Sequence, residues 1–536
     1  MRRCKETSAA AFVRARSGAK GARTLRLAAL LAIGLGLAPA SCSLTNVAHD
    51  ACEGDAECTE AFGVGSACKA GYCSEPGTCE TGHDCRIKYG GGACVEGACQ
   101  MFLRKDDACT IVEPPDLFDK PLVGDGSLVI VGAIFAKDDK KNEATADAVR
   151  LAITEINKAT GDASGRNVGL VVCDNGGPGN KATGDARIQL DQHAFDYLAG
   201  EVGVPFLVGP RTSSDALAIV ARIVEKKLPT VVISPSATSP ELTGVPSRIN
   251  DKDTAPLFWR TCPSDALQGQ VLANNVVGGD PAIQSAAVVY TNDAYGKGLS
   301  QVFLETYGAA KTDLIPFDAA TLGDGATPGM IATQVAGKNT DAIVIVATSA
   351  SDTIALLTAL DAAGQTAKKF FFTDGSKDAS KLLASDLPAG VKTMIAAARG
   401  TAPASARDPV TFEIFTASLG AAFPGIDPTA YSFLAHAYDA TFVGAYGLVY
   451  AQNKDAKYDG RTVAEGIAHL QTGQKVEAGS DWPMGKQALM TDGAIDLDGI
   501  SGELQLDPSL GEGPAPIEIW AVDAAGTGFT TVDTVN

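Results

Sequence analysis

Two stretches place hydroxyl side chains directly after apolar runs of strand length. Val208-Gly209-Pro210-Arg211-Thr212-Ser213-Ser214 follows the run at 204–208, and Ile233-Ser234-Pro235-Ser236-Ala237-Thr238-Ser239 follows the run at 229–233. Where a strand ends and a helix opens, free backbone N–H groups and the helix dipole favour an anion, and Ser or Thr hydroxyls add uncharged hydrogen bonds. Taken singly, Ser213 or Thr238 is better explained as a helix cap. Two such loops at neighbouring strand ends shift the reading towards anion binding.

Catalytic patterns are missing. There is no Gly-x-Ser-x-Gly elbow, and Gly176-Gly177-Pro178-Gly179-Asn180-Lys181 lacks the Gly-Lys-Ser/Thr ending of a phosphate loop. His49, His83, His193, His436 and His469 show no paired metal spacing, and Asp492, Asp496 and Asp498 lack the closing Glu of a calcium loop. The expectation is a binding protein with no enzymatic activity, no metal and no cofactor.

Eight cysteines crowd into 52–99 with a repeated spacing. Cys52-x5-Cys58-x9-Cys68-x4-Cys73 is followed by Cys79-x5-Cys85-x8-Cys94-x4-Cys99, an internal duplication. Small units with almost no apolar core need covalent staples, so disulfides are expected. Zinc is the rival, but no C-x2-C pair occurs and His83 is the only histidine within the repeat. Three connectivities are open within each unit. Cys109, Cys173 and Cys262 remain outside it, and a Cys173–Cys262 bond is a candidate staple for the first lobe.

The chain has 536 residues and a formal net charge of −19. That length exceeds a single core, and the acidic balance without a basic stripe excludes nucleic-acid binding. Eight basic residues and one acidic residue fall within 1–41, where an 11-residue apolar run at 27–37 precedes Ala38-Pro39-Ala40-Ser41-Cys42. The run is too short to span a bilayer and reads as an export signal. Ala40-Ser41-Cys42 resembles a bacterial lipoprotein box, although Pro39 stands where that box usually has Leu. The expected localisation is therefore exported, on the periplasmic side, and anchored to a membrane through acylated Cys42. Plain cleavage after Ala40 is the alternative.

The elements that must position the two loops alternate. Residues 128–135, 168–173, 204–208 and 229–233 read as buried strands, with helices at 143–159 and 213–226 between them. After 265 the pattern restarts. Strands are expected at 286–290, 342–347, 370–373 and 394–398, and helices at 298–307 and 355–363. A long helix follows at 431–450, then a closing β segment at 500–535. This predicts an α/β fold of two doubly wound parallel-sheet lobes, with a ligand site where strand ends face each other. The expected organisation is an export segment at 1–41, a tether and cysteine repeat at 42–104, and a linker at 105–126. The bilobal module follows at 127–536, with lobe one at about 127–263 and 400–499 and lobe two at about 264–399 and 500–536.

These landmarks resemble the type I periplasmic binding proteins of the leucine/isoleucine/valine-binding kind, relatives of receptor ligand-binding domains. The resemblance rests on the two loops above, with the second extending through Pro240-Glu241-Leu242-Thr243. It also rests on Phe258-Trp259-Arg260-Thr261-Cys262-Pro263-Ser264-Asp265, Thr291-Asn292-Asp293-Ala294-Tyr295-Gly296-Lys297-Gly298, Ala437-Tyr438-Asp439-Ala440 and Gly502-Glu503-Leu504-Gln505-Leu506-Asp507. By resemblance Ser213, Ser214 and Ser236-Ala237-Thr238 hold a ligand carboxylate, Tyr295 lines the cleft, and Asp374 faces a ligand ammonium. An Asx turn explains Asp374-Gly375 equally well, and Tyr295 could simply pack a turn.

Two departures stand out. Lys137 falls where relatives carry small residues, and Thr348-Ser349-Ala350 lacks an aromatic found in some leucine binders. The resemblance implies extracytoplasmic capture of a small amino acid or analogue for an ABC-type permease. The alternative is a ligand-sensing surface lipoprotein that docks a partner through its cysteine repeat.

Overall fold

The computed structural model describes residues 51–124, 127–137, 139–406 and 408–536. The export segment, Cys42 and Asp138 lie outside the described residues. None of the helices described is long and apolar enough to cross a membrane.

Lobe one is built on a six-stranded sheet. Its strands are β1 (Ile111–Glu113), β2 (Val129–Ile134), β3 (Val168–Cys173), β4 (Phe206–Val208), β5 (Val231–Ser234) and β6 (Phe258–Arg260), in the spatial order β6-β5-β4-β2-β3-β1. All but β1 run parallel. Every residue of β2 and β3 is buried, as expected for strands covered by helices on both faces. Helix α1 (Lys140–Ala159) is capped by Asp139, whose carboxylate accepts from Asn142 N at 3.1 Å. Helix α2 (Ser213–Lys226) is capped by Thr212, so Ser213 is the first helical residue rather than the cap. Such a cap is worth about 1 kcal/mol.

Lobe two carries a seven-stranded sheet. In chain order its strands are β7 (Ala286–Thr291), β8 (Thr312–Phe317), β9 (Ala342–Val346), β10 (Lys369–Phe372), β11 (Arg399–Pro403), β12 (Ile517–Val522) and β13 (Phe529–Val535), arranged β8-β7-β9-β10-β11-β12-β13. The last two join antiparallel and close the chain. Helices α3 (Asp265–Val271) and α4 (Ala294–Tyr307) pack on one face. Helix α5 (Leu434–Lys454) returns to lobe one and is buried along most of its length, as its apolar residues on all sides require.

Several expectations are corrected. The strand expected at 394–398 is the end of a helix, Ala389–Ala397, whose Val391, Met394 and Ile395 bury one face at helical spacing; the strand follows it. A short apolar run does not distinguish the two states. The lobe crossings also shift. Arg399–Pro403 belongs to the second sheet, while Leu504 and Leu506 pack in the core of lobe one.

The segment at 105–126 is not a free linker. Its β1 pairs with β3, Leu117 and Leu122 are buried, and Cys109 is bonded to Cys173. The candidate Cys173–Cys262 bond is therefore not formed, and Cys262 is a buried free thiol that burial pushes well above its usual range.

Both cysteine units form first-to-third and second-to-fourth bonds: Cys52–Cys68, Cys58–Cys73, Cys79–Cys94 and Cys85–Cys99. Each consists of an eight-residue helix and a two-stranded hairpin, with Cys68 opposite Cys73 and Cys94 opposite Cys99. The sulfurs that cluster in each unit are spent in these bonds, which removes the thiolates zinc would need. The second unit sits directly on lobe one. Arg86 Nη1 donates to Gly203 O at 2.7 Å, and Arg104 donates through two nitrogens to Glu201.

Candidate functional site

The two hydroxyl-bearing loops lie side by side at the C-terminal ends of β4 and β5. Gly209, at φ +104°, lets the first loop press against β2, since a Cβ there would lie 2.5 Å from Ile134 O. Ser213 Oγ accepts from Ser239 N at 3.1 Å and ties the loops together. Ser236 Oγ donates to Arg211 O at 2.9 Å, and Ala237 N donates to Ser234 Oγ at 3.0 Å. Thr238 is turned away and donates to Asp265 Oδ2 at 3.0 Å. Burial and the neighbouring Asp374 charge push the Asp265 carboxyl well above its ordinary range.

Arg260 holds the second loop from beneath. Its fully buried guanidinium donates to Ala237 O, Ser239 O and Thr243 Oγ1 at 2.8–2.9 Å, and to Glu512 Oε2 at 2.6 Å.

Lobe two brings Asp374 and Tyr295 to the same point. Asp374 follows β10 directly, and Gly375 allows the turn to lie against β9, where a Cβ would lie 1.9 Å from Ala347 O. Asp374 Oδ1 accepts from Gln268 Nε2 at 2.8 Å and from the Tyr295 hydroxyl at 2.7 Å. Burial first, then the Asp374 charge, hold the Tyr295 phenol well above its usual range. Ser214 reaches across the lobes, accepting from Ala294 N at 3.3 Å.

Arg211, Thr212, Ser213, Ser236, Tyr295, Thr348, Asp374, Gly375 and Phe433 surround one cavity between the lobes. Of the expected site residues, Ser213, Ser236, Tyr295 and Asp374 therefore converge. Ser214, Ala237 and Thr238 shape the loops without lining the cavity, and Lys137 does not line it either. The space enclosed is about 20 Å³, close to that of a single water site. A ligand of amino-acid size enters only with the lobes further apart. A roomier groove of about 440 Å³, lined by Leu151, Glu155, Ile414 and Tyr438, lies among the helices of lobe one and away from the strand ends.

Three contributors carried no sequence signal of their own. Lys141, in the first turn of α1, is 4% exposed, and its Nζ lies 3.5 Å from Asp374 O and 5.9 Å from the Phe433 ring. Burial first, and then the Arg211 charge, lower its ammonium to about 7 against the pull of Asp374, Asp378 and Asp139. Arg211, quoted in the first loop only as context, makes no side-chain hydrogen bond or ion pair among the described residues, and its Nε is buried. Phe433 holds φ +74°, a left-handed conformation costing a bulky residue roughly 1–3 kcal/mol. One turn on, His436 is buried with neither ring nitrogen partnered, and burial lowers it to about 3.

Comparison with known proteins agrees with this architecture. The model of the receptor family ligand binding region matches residues 144–524, well over half of the chain. A Leu/Ile/Val-binding protein, BraC3 of Rhizobium johnstonii, is 30% identical over 178 residues, covering 33% of this chain and 42% of that one. The chain thus spans less than half the length of that relative. Among solved structures, the substrate-binding protein LivJ of a branched-chain amino acid transporter from Streptococcus pneumoniae, in complex with isoleucine, superposes with a TM-score of 0.54 at 19% identity. It covers 76% of this chain and 99% of that one. A solute-binding protein from R. palustris in complex with benzoate superposes with a TM-score of 0.55 at 14% identity, covering 76% and 96%. With its two parallel-sheet lobes and the family match running through both, this chain belongs to the receptor family ligand binding region and has the type I periplasmic binding protein fold.

Proposed function

We propose that the protein is the extracytoplasmic substrate-binding component of an ABC-type uptake system, closing its lobes around a small carboxylate-bearing solute of the amino-acid class or a close analogue. The observation that carries this reading is the cavity between Ser213 and Ser236 of lobe one and Tyr295 and Asp374 of lobe two. A ligand touching both sets of residues favours the closed arrangement, because only closure brings them together. The relative's name, Leu/Ile/Val-binding protein, supports the solute class. In this reading Cys42 anchors the chain to the membrane and a permease receives the solute.

Calorimetric titration of the full chain with amino acids and small organic acids tests the proposal. Saturable binding by one class, with a smaller radius of gyration in X-ray scattering, is expected. A flat titration across the panel would sink it.

A further inference from the structure

Among the described residues, Arg211, Lys141, Lys381, Asp139, Asp374 and Asp378 gather at the cleft. Their contacts are uneven. Lys381 takes two acids, with Nζ at 3.3 Å from Asp139 and 4.0 Å from Asp378. Arg211 lines the cavity and its Nε is buried, yet its guanidinium makes no hydrogen bond or close ion pair among the described residues, although its charge helps hold the Asp139 carboxyl below its ordinary range. Lys141 is buried, and its one hydrogen bond among the described residues is the 3.5 Å contact to Asp374 O, at the outer limit of such a bond. For the buried Lys141 so weak an acceptor is costly, and an anionic ligand oxygen removes that cost while giving the half-buried Arg211 a hydrogen-bond partner.

The same geometry works against an ammonium on the ligand. An amino acid seated here would need an acceptor on lobe two for its ammonium, and Asp374 is the carboxylate lining the cavity. Here Asp374 Oδ1 already accepts from Gln268 and Tyr295, which leaves Oδ2, and the Lys141 ammonium already rests on the same turn as the cation beside that carboxylate. A second ammonium would be a like charge beside Lys141 in a water-poor space. The Phe433 ring, held in a strained conformation at the cavity wall, offers an apolar surface to the rest of the ligand.

We infer that the ligand is a small carboxylic acid without an amino group, its carboxylate received by Arg211 and Lys141 and its apolar body by Phe433. This rests on the solute-binding reading above and narrows its ligand class.

Calorimetric titration of the full chain with matched pairs tests it: isoleucine against 3-methylpentanoate, phenylalanine against 3-phenylpropanoate, and benzoate alone. At least one amine-free acid is expected to bind about tenfold or more tightly than its amino counterpart. Lys141→Gln and Arg211→Gln should each weaken that acid about tenfold or more, with melting temperatures close to the wild type. If an amino acid binds as tightly as its amine-free partner or tighter, the inference falls while the solute-binding reading stands. Acid binding that survives both substitutions also overturns it. No binding by any probe overturns the inference and the broader reading together.

Discussion

Arg260 Nε donates to Glu512 Oε2 at 2.6 Å, so the first and third chain crossings between the lobes are joined beneath the second hydroxyl-bearing loop. The other guanidinium nitrogens hold that loop through Ala237 O, Ser239 O and Thr243 Oγ1. Breaking a buried pair from one side strands the other charge, at about 3–5 kcal/mol. Arg260→Met should lower the urea midpoint accordingly, and adding Glu512→Leu should recover part of the loss, since the second change removes the stranded carboxylate. A double variant no more stable than Arg260→Met would contradict this account.

The bond between Cys109 and Cys173 closes a loop with a sequence separation of 64 and fixes β1 to the sheet edge. Loop-closure entropy gives it about 4 kcal/mol. Cys109→Ala with Cys173→Ala should lower stability in that direction, most clearly in amide exchange of β1 and β3. Peptide mapping after alkylation without reductant should find Cys262 modified only once the protein is unfolded. A labelled Cys109 in the unreduced native protein would refute the pairing.

Lys141 links binding to pH. Its ammonium titrates near 7 because of burial and Arg211, with Asp374, Asp378 and Asp139 opposing. An anion that needs the charged form binds best below that value. It should lose up to about tenfold in affinity per pH unit above it, with one proton taken up on binding. Stability follows the same linkage. Between about 7 and 10.5 the unfolded chain holds the proton and the folded chain does not, so this residue makes stability rise with pH across that window. Lys141→Met should flatten both profiles, as the difference in melting temperature between variant and wild type from pH 6 to pH 10 would reveal.

Phe433 should separate binding from stability. Phe433→Gly removes left-handed strain of roughly 1–3 kcal/mol but also a buried ring of comparable or larger worth. The variant should melt near or below the wild type, while affinity for the aromatic probe falls about tenfold or more. Unchanged affinity would remove Phe433 from the site.

Membrane attachment is expected to depend on Cys42, since the apolar run at 27–37 is too short to span and Ala40-Ser41-Cys42 resembles an acylation box apart from Pro39. Cys42→Ala should move the protein from the membrane pellet into the soluble fraction. Retention through a high-salt wash would exclude lipid anchoring.

Local pattern carried most of the fold. Strands such as Val168–Cys173 and the helix Ser213–Lys226 announce themselves through apolar runs and periodicity, and the duplicated cysteine spacing announces its disulfides. The loops of Ser213 and Ser236 stand out because hydroxyls follow strand-length apolar runs, whereas Tyr295 and Asp374 are singled out only by the family resemblance; the structure brings all four to one cavity. Lys141 and Phe433 carried no such signal. One lies in a run of lysines that reads as solvated, and the other opens an apolar helix; their meeting requires α1 to pack against the start of α5, nearly 300 positions along the chain. That Arg211 makes no side-chain hydrogen bond among the described residues is likewise a property of packing, since hydrogen-bond partners are chosen by distance in space. Cys173 found Cys109 rather than Cys262 for the same reason: a polar, Pro-containing stretch with no strand signal is drawn into an open sheet edge that only the assembled lobe presents.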